Sequence, residues 1–126
     1  MNKLLWTLQV VLALVFLAHG FLFLVPPPEI AAQMNLFLPR WFQLFLGVAE
    51  VLAAIGLTVP GITRIQPWLV PAAAAGAMIV TASATVLHLS RGEYSSAATT
   101  VVLLLIAGFV LNGRWKRLPI AARAQQ

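Results

Sequence analysis

The chain predicts an all-α integral membrane four-helix bundle, and three observations carry that expectation. Of its 126 residues, 61% are hydrophobic and only 9% are charged, against about 25% charged in soluble domains. The mean hydropathy is +0.94, so most side chains must be solvated by lipid or by each other. Four long apolar stretches are separated by Pro, Gly and charged residues, and each approaches the roughly 20 residues that a helix needs to cross a hydrocarbon core. Together they fill a single domain over 1–126, with spans at about 4–25, 41–59, 68–89 and 96–111.

The first stretch, Leu4 to Val25, has no formally charged residue, and only Thr7, Gln9 and His19 interrupt it. At 1.5 Å per residue it spans ~33 Å. Lys3 and the Ala18-His19-Gly20 sequence loosely mimic a secretory leader, but the run is too long and continues through that site, so it reads as a span. Pro26-Pro27-Pro28 ends it. The segment up to Arg40 mixes Glu29, Gln33 and Asn35 with Ile30, Met34, Leu36 and Phe37, a composition suited to a short helix along the membrane surface. The second span starts at Trp41 and is expected to stop at Pro60-Gly61. Pro67 and Trp68 open the third, with Pro71 in its first turn, where a missing donor costs little. After Ser90-Arg91-Gly92-Glu93 comes the fourth and shortest span, closed by Asn112-Gly113-Arg114-Trp115. Trp6, Trp41, Trp68 and Trp115 each lie near a span's edge, the pattern of an interfacial aromatic belt.

Charge sets the expected orientation. The formal net charge is +5, yet Arg114, Lys116, Arg117 and Arg123 cluster after the last span. A basic tail there reads as a topology signal that also suits anionic lipid, not as a nucleic-acid surface. With N- and C-termini cytoplasmic, six cations face inside and only Arg40 and Arg91 face outside. The bilayer is therefore the expected partner, in the cell inner membrane, and no nucleic acid is expected. The absence of cysteine excludes disulfides and thiolate metal or redox chemistry in this subunit.

In the second span Gln43, Gly47, Glu50 and Ala54 are spaced four, three and four apart and share a face. In the third, Ala72 to Ala77 are all small, and Thr81, Thr85 and His88 recur on one face. Both faces are expected to point into the bundle. Glu50 is the most informative residue, because an ionisable group at a span's centre costs about 2.5–3.5 kcal/mol to insert and normally faces an interior partner. The plain alternative is a protonated carboxyl making one helix-to-helix hydrogen bond. Helical rise places Glu50 ~13 Å and His19 ~9 Å below the outer edge, so a contact between them is feasible. His88 falls close to the outer boundary, where an ordinary interfacial histidine is the simpler reading. Glu50, His19, Gln43, Thr85 and His88 are thus the candidate ligand-binding or proton-handling residues. No metal site is expected, since no two ligands share a helix at metal-binding spacing. Nucleophile triads, phosphate loops and nucleotide fingerprints are missing, and no catalytic residue is assigned.

The order of these features resembles the DoxX-like family of small bacterial membrane proteins. The residues carrying the likeness are Leu5-Trp6-Thr7-Leu8-Gln9, Gly20, Gly47-Val48-Ala49-Glu50-Val51-Leu52, Gly56-Leu57, Pro60, Leu87-His88-Leu89, Arg91-Gly92-Glu93 and Gly113-Arg114. The resemblance implies a four-helix membrane protein with the helix-two glutamate as its hallmark. Relatives in the wider group resemble membrane subunits of quinone-linked sulfur oxidation or partners in oxidative-stress complexes. The functional expectation is an accessory subunit whose outer-leaflet pocket binds a quinone or another lipid-like molecule, with a redox protein or a homo-oligomer as partner. Two alternatives stay open. One is a proton-coupled transporter oligomer, although the small multidrug exporters it resembles carry their glutamate in helix one, where this chain offers His19. The other is a packing subunit of a larger membrane complex.

Overall fold

The computed structural model describes residues 1–123; the last three positions of the expected domain lie outside the described residues. Five α-helices follow one another: α1 (Asn2–Leu24), α2 (Pro28–Asn35), α3 (Arg40–Thr63), α4 (Leu69–Ser90) and α5 (Tyr94–Asn112), with a π-helical turn over Gly113–Arg117. Among the described residues there is no strand. Four helices, α5 together with its π-turn being the last, are long and apolar enough to cross a membrane. The short α2 occupies the segment expected to be a surface helix.

α1 packs along α3, α3 along α4 and α4 along α5, while α5 closes the ring on α1 through a much smaller contact. The core is a column of Leu12, Phe16, Ala54, Leu57, Ala74, Ala77, Ala107 and Val110. Large apolar side chains such as Leu14, Phe45, Leu52, Ile79 and Leu105 point outward, as a chain solvated by hydrocarbon allows. The N-terminus and the last described residues lie at one end of the bundle, where Arg114 Nη1 donates to Asn2 Oδ1 at 2.8 Å and Arg64 donates to the carbonyls of Ala121 and Ala122. We call this the termini end and the opposite one the far end.

Three sequence expectations need correction. Pro60-Gly61 does not stop the second span, because α3 continues through Pro60 to Thr63. A proline is tolerated inside a membrane helix where neighbours pack around the break. Pro60 and Gly61 are both buried, and a Cβ on Gly61 would sit 2.7 Å from the Trp6 ring. Trp6 therefore lies across this part of α3 as a packing residue, and only Trp41, Trp68 and Trp115 are exposed in the manner of belt residues. The last span does not close at Asn112–Trp115, since the π-turn carries it to Arg117, with Leu118 N–H bonded to Gly113 O at 2.7 Å. Arg114 is accordingly not a tail cation. It is 3% exposed.

Candidate functional site

The site begins with two glycines. A Cβ on Gly20 would lie 3.0 Å from Gly47 O, and one on Gly47 would lie 3.0 Å from Gly20 O. The backbones of α1 and α3 thus cross closer than any side chain would permit, as small residues allow between membrane helices. His19 precedes one glycine and Glu50 follows the other by a turn. The crossing brings them together: His19 Nδ1 lies 3.0 Å from Glu50 Oε1 and 2.9 Å from Oε2. The His19 ring also meets Phe23 edge-on at 4.8 Å, which fixes its plane.

The far side of the crossing is braced by Arg40. It donates to Phe23 O at 2.8 Å and Leu24 O at 2.7 Å, satisfying carbonyls that the end of α1 leaves without helical partners. Arg40 also reaches Gln43 Oε1 at 3.2 Å, and Gln43 Nε2 donates to Asn35 Oδ1 and Leu38 O, both at 2.8 Å. Gln43 is fully buried, but its amide is spent on joining α1, α2 and α3.

Glu50 and His19 border a cavity of about 360 Å³, lined also by Val15 and Phe16 from α1, Thr81, Ala84 and His88 from α4, and Ser96, Thr99, Thr100 and Leu103 from α5. It lies on the sparsely packed seam between α1 and α5, toward the far end. The Glu50 side chain is 4% exposed and that of His19 51%, so the carboxylate forms the inner wall and the imidazole faces the opening. With Nδ1 committed to Glu50, Nε2 is the ring nitrogen left to meet a ligand. Thr81 donates to Ala77 O, leaving its oxygen lone pairs available as acceptors. Thr85 does not line the cavity. Its hydroxyl lies 2.7 Å from that of Thr100, which does.

His88 lines the same cavity, but its Nδ1 is held at 2.9 Å by Glu93 Oε1. Gly92, at φ 71, takes the left-handed turn that lets Glu93 double back onto α4. Arg91 pairs with Glu93 at 3.3 Å and stacks over the Phe37 ring at 3.4 Å. The structure therefore brings His19, Glu50 and His88 to one cavity, and places Gln43 and Thr85 outside its lining. Among the described residues, no three His, Asp or Glu side chains cluster closely enough to hold a metal ion.

A second buried polar cluster lies toward the termini end and escaped the sequence reading. Gln9 Nε2 donates to Leu57 O at 2.7 Å, and Arg114 Nε donates to Gln9 Oε1 at 2.6 Å. Arg114 Nη1 also donates to Leu118 O at 3.0 Å, and its guanidinium carbon sits 5.4 Å from the Trp6 ring. A lone glutamine in an apolar run was the available signal, because an amide facing hydrocarbon would be unsatisfied.

No curated protein and no solved structure matches this chain. The model of the DoxX-like family matches residues 7–110, a stretch that covers most of the four spans and contains the Gly20–Gly47 crossing and the His19–Glu50 pair. This multi-pass membrane protein belongs to the DoxX-like family.

Proposed function

We propose that the cavity between α1, α4 and α5 binds the polar head of a quinone or a similar lipid-like molecule, and that His19 and Glu50 exchange a proton with it. The carrying observation is the His19–Glu50 contact at 2.9 Å on the wall of a laterally open cavity that mixes apolar side chains with the hydroxyls of Thr81, Ser96, Thr99 and Thr100. Its 360 Å³ falls within the range of small-molecule sites, which are mostly apolar with a few placed polar groups. A membrane-dissolved ligand can enter sideways through the α1–α5 seam without crossing water. Its carbonyl would accept from His19 Nε2–H. Its hydroxyl, in the reduced form, would give a proton to Nε2 while the Nδ1 proton passes to Glu50. In this reading the chain serves as an accessory subunit, and a redox protein is the partner that supplies or takes electrons.

Transport fits less well. Toward the termini end, Leu12, Ala54, Leu57, Ala74 and Val110, none more than 5% exposed, fill the space beyond Glu50. A carrier needs access to Glu50 from both faces.

The test is direct binding of a short-chain ubiquinone to purified protein. Glu50→Gln keeps the shape but removes the anion, and His19→Phe removes Nε2. Each is expected to weaken binding about ten-fold or more, the scale of a lost hydrogen bond to a charged group. Unchanged affinity in both variants would remove the proposal.

A further inference from the structure

We propose that the groove between α4 and α5 at the termini end binds one anionic phospholipid, its acyl chain lying in the groove and its headgroup phosphate resting on Lys116. The groove encloses about 480 Å³ and is floored by Ala72, Ala75, Met78, Gly108 and Leu111. It exists because small residues face each other across the helix pair: α4 presents alanines and α5 presents Gly108, whose missing side chain leaves only the Met78 thioether beneath it. From Ala72 to Met78 the apolar floor runs ~9 Å along the helix, a depth suited to the upper part of an acyl chain.

Asn112, Trp115 and Lys116 form its rim. Trp115 and Lys116 are exposed, an indole and an ammonium placed where a span meets the headgroups. Charge selects the occupant. Lys3, Arg64, Arg114, Lys116, Arg117 and Arg123 all lie at this end, whereas the three acidic side chains lie elsewhere: Glu29 in α2 and Glu93 before α5 at the far end, and Glu50 inside. Lys116 is the cation on the groove's rim, and with no acidic side chain at this end among the described residues the slot complements a phosphodiester above a hydrocarbon chain and disfavours a zwitterionic head, whose own cation would meet Lys116. A second copy of the chain fits poorly, because an isologous contact across this face would bring two Lys116 side chains together.

Native mass spectrometry of the full chain in detergent, offered equal amounts of dioleoylphosphatidylglycerol and dioleoylphosphatidylcholine, tests this. We expect one phosphatidylglycerol retained per chain in clear excess. Lys116→Gln should lower that retention about five-fold, the weight of one cation near an anionic lipid. Ala75→Leu should lower it by filling the slot, while Lys3→Gln, on α1 and outside the groove's lining, should change little. Lys116 is exposed, so its variant does not threaten the fold. Equal retention of the two lipids, equal losses from Lys3→Gln and Lys116→Gln, or an Ala75→Leu variant that dissolves a dimer and leaves lipid retention intact would each overturn the proposal.

Discussion

Gln9 and Arg114 stand near opposite ends of the chain, yet each is the other's main reason for being buried. Among the described residues, Arg114 has no carboxylate beside it. Its charge is spread over Gln9 Oε1, Asn2 Oδ1, Leu118 O and the face of Trp6. The arrangement is asymmetric in consequence. Gln9→Leu strands a buried guanidinium and leaves Leu57 O without its donor, whereas removing both partners leaves the carbonyl in that state but takes away the buried charge. Thermal or denaturant unfolding in detergent should show Gln9→Leu destabilised by about 1–3 kcal/mol. The Gln9→Leu, Arg114→Leu pair should regain a good part of that. An additive double variant would mean that the two residues contribute independently. This contact was not legible in the sequence. Periodicity reports which face of a helix is polar, but nothing in it joins residue 9 to residue 114. Arg114 also sat among three exposed cations that share its charge but not its burial. Glu50 was legible by contrast, because Gln43, Gly47 and Ala54 mark its face as the inner one, and all four are buried.

At the scale of the element, hydrophobic run length located every membrane helix, while local stop signals located their ends less well. Pro60 ends helices in water because its ring removes a donor and crowds the preceding turn. Here Trp6 packs over the following glycine and the helix runs on. The π-turn after Asn112 carries α5 past its expected end in the same way. It turns Arg114 inward while Trp115 and Lys116 stay outside. The crossing of α1 and α3 is the element-level feature on which the candidate site depends, since it holds His19 beside Glu50. Its two glycines were visible, though only as separate residues on different spans. Gly47→Leu would drive a side chain into Leu24 and the α1 backbone. The expected cost is about 1–3 kcal/mol of stability, the usual scale of overpacking. His19 should separate from Glu50 as well. Nitrogen NMR of the histidine rings would register this as loss of the hydrogen-bonded Nδ1 signal of His19, with that of His88 unchanged. A variant that keeps the His19 signal would show that the pair does not need the close crossing.

For the molecule as a whole, the remaining question is which end faces the cytoplasm, and the distribution of charge argues one answer. The ring of four spans puts both termini and the α3–α4 turn at one end, with six cations and no acidic side chain, and puts Arg40 and Arg91 at the other. The two far-end cations are also engaged locally, Arg40 on the carbonyls closing α1 and Arg91 on Glu93 and Phe37. Arg64 and Arg114 at the termini end are engaged in the same way, so the asymmetry holds whether or not such cations are counted. Arginine and lysine near span ends are retained on the cytoplasmic side. We propose on this ground that the termini end faces the cytoplasm, which would set the His19–Glu50 cavity toward the outer leaflet and the Lys116 groove in the inner one. The two sites would then draw ligands from opposite leaflets, with the packed column around Leu12 and Leu57 between them. A C-terminal fusion to a fluorescent protein that matures only in the cytoplasm should be bright, and the same fusion to a phosphatase active only outside should be silent. Substituting Lys116, Arg117 and Arg123 together, with Arg114 kept for the fold, should weaken this bias by lowering the count at that end to three. A bright phosphatase fusion of the unaltered chain would invert the assignment and open the cavity to the inner leaflet.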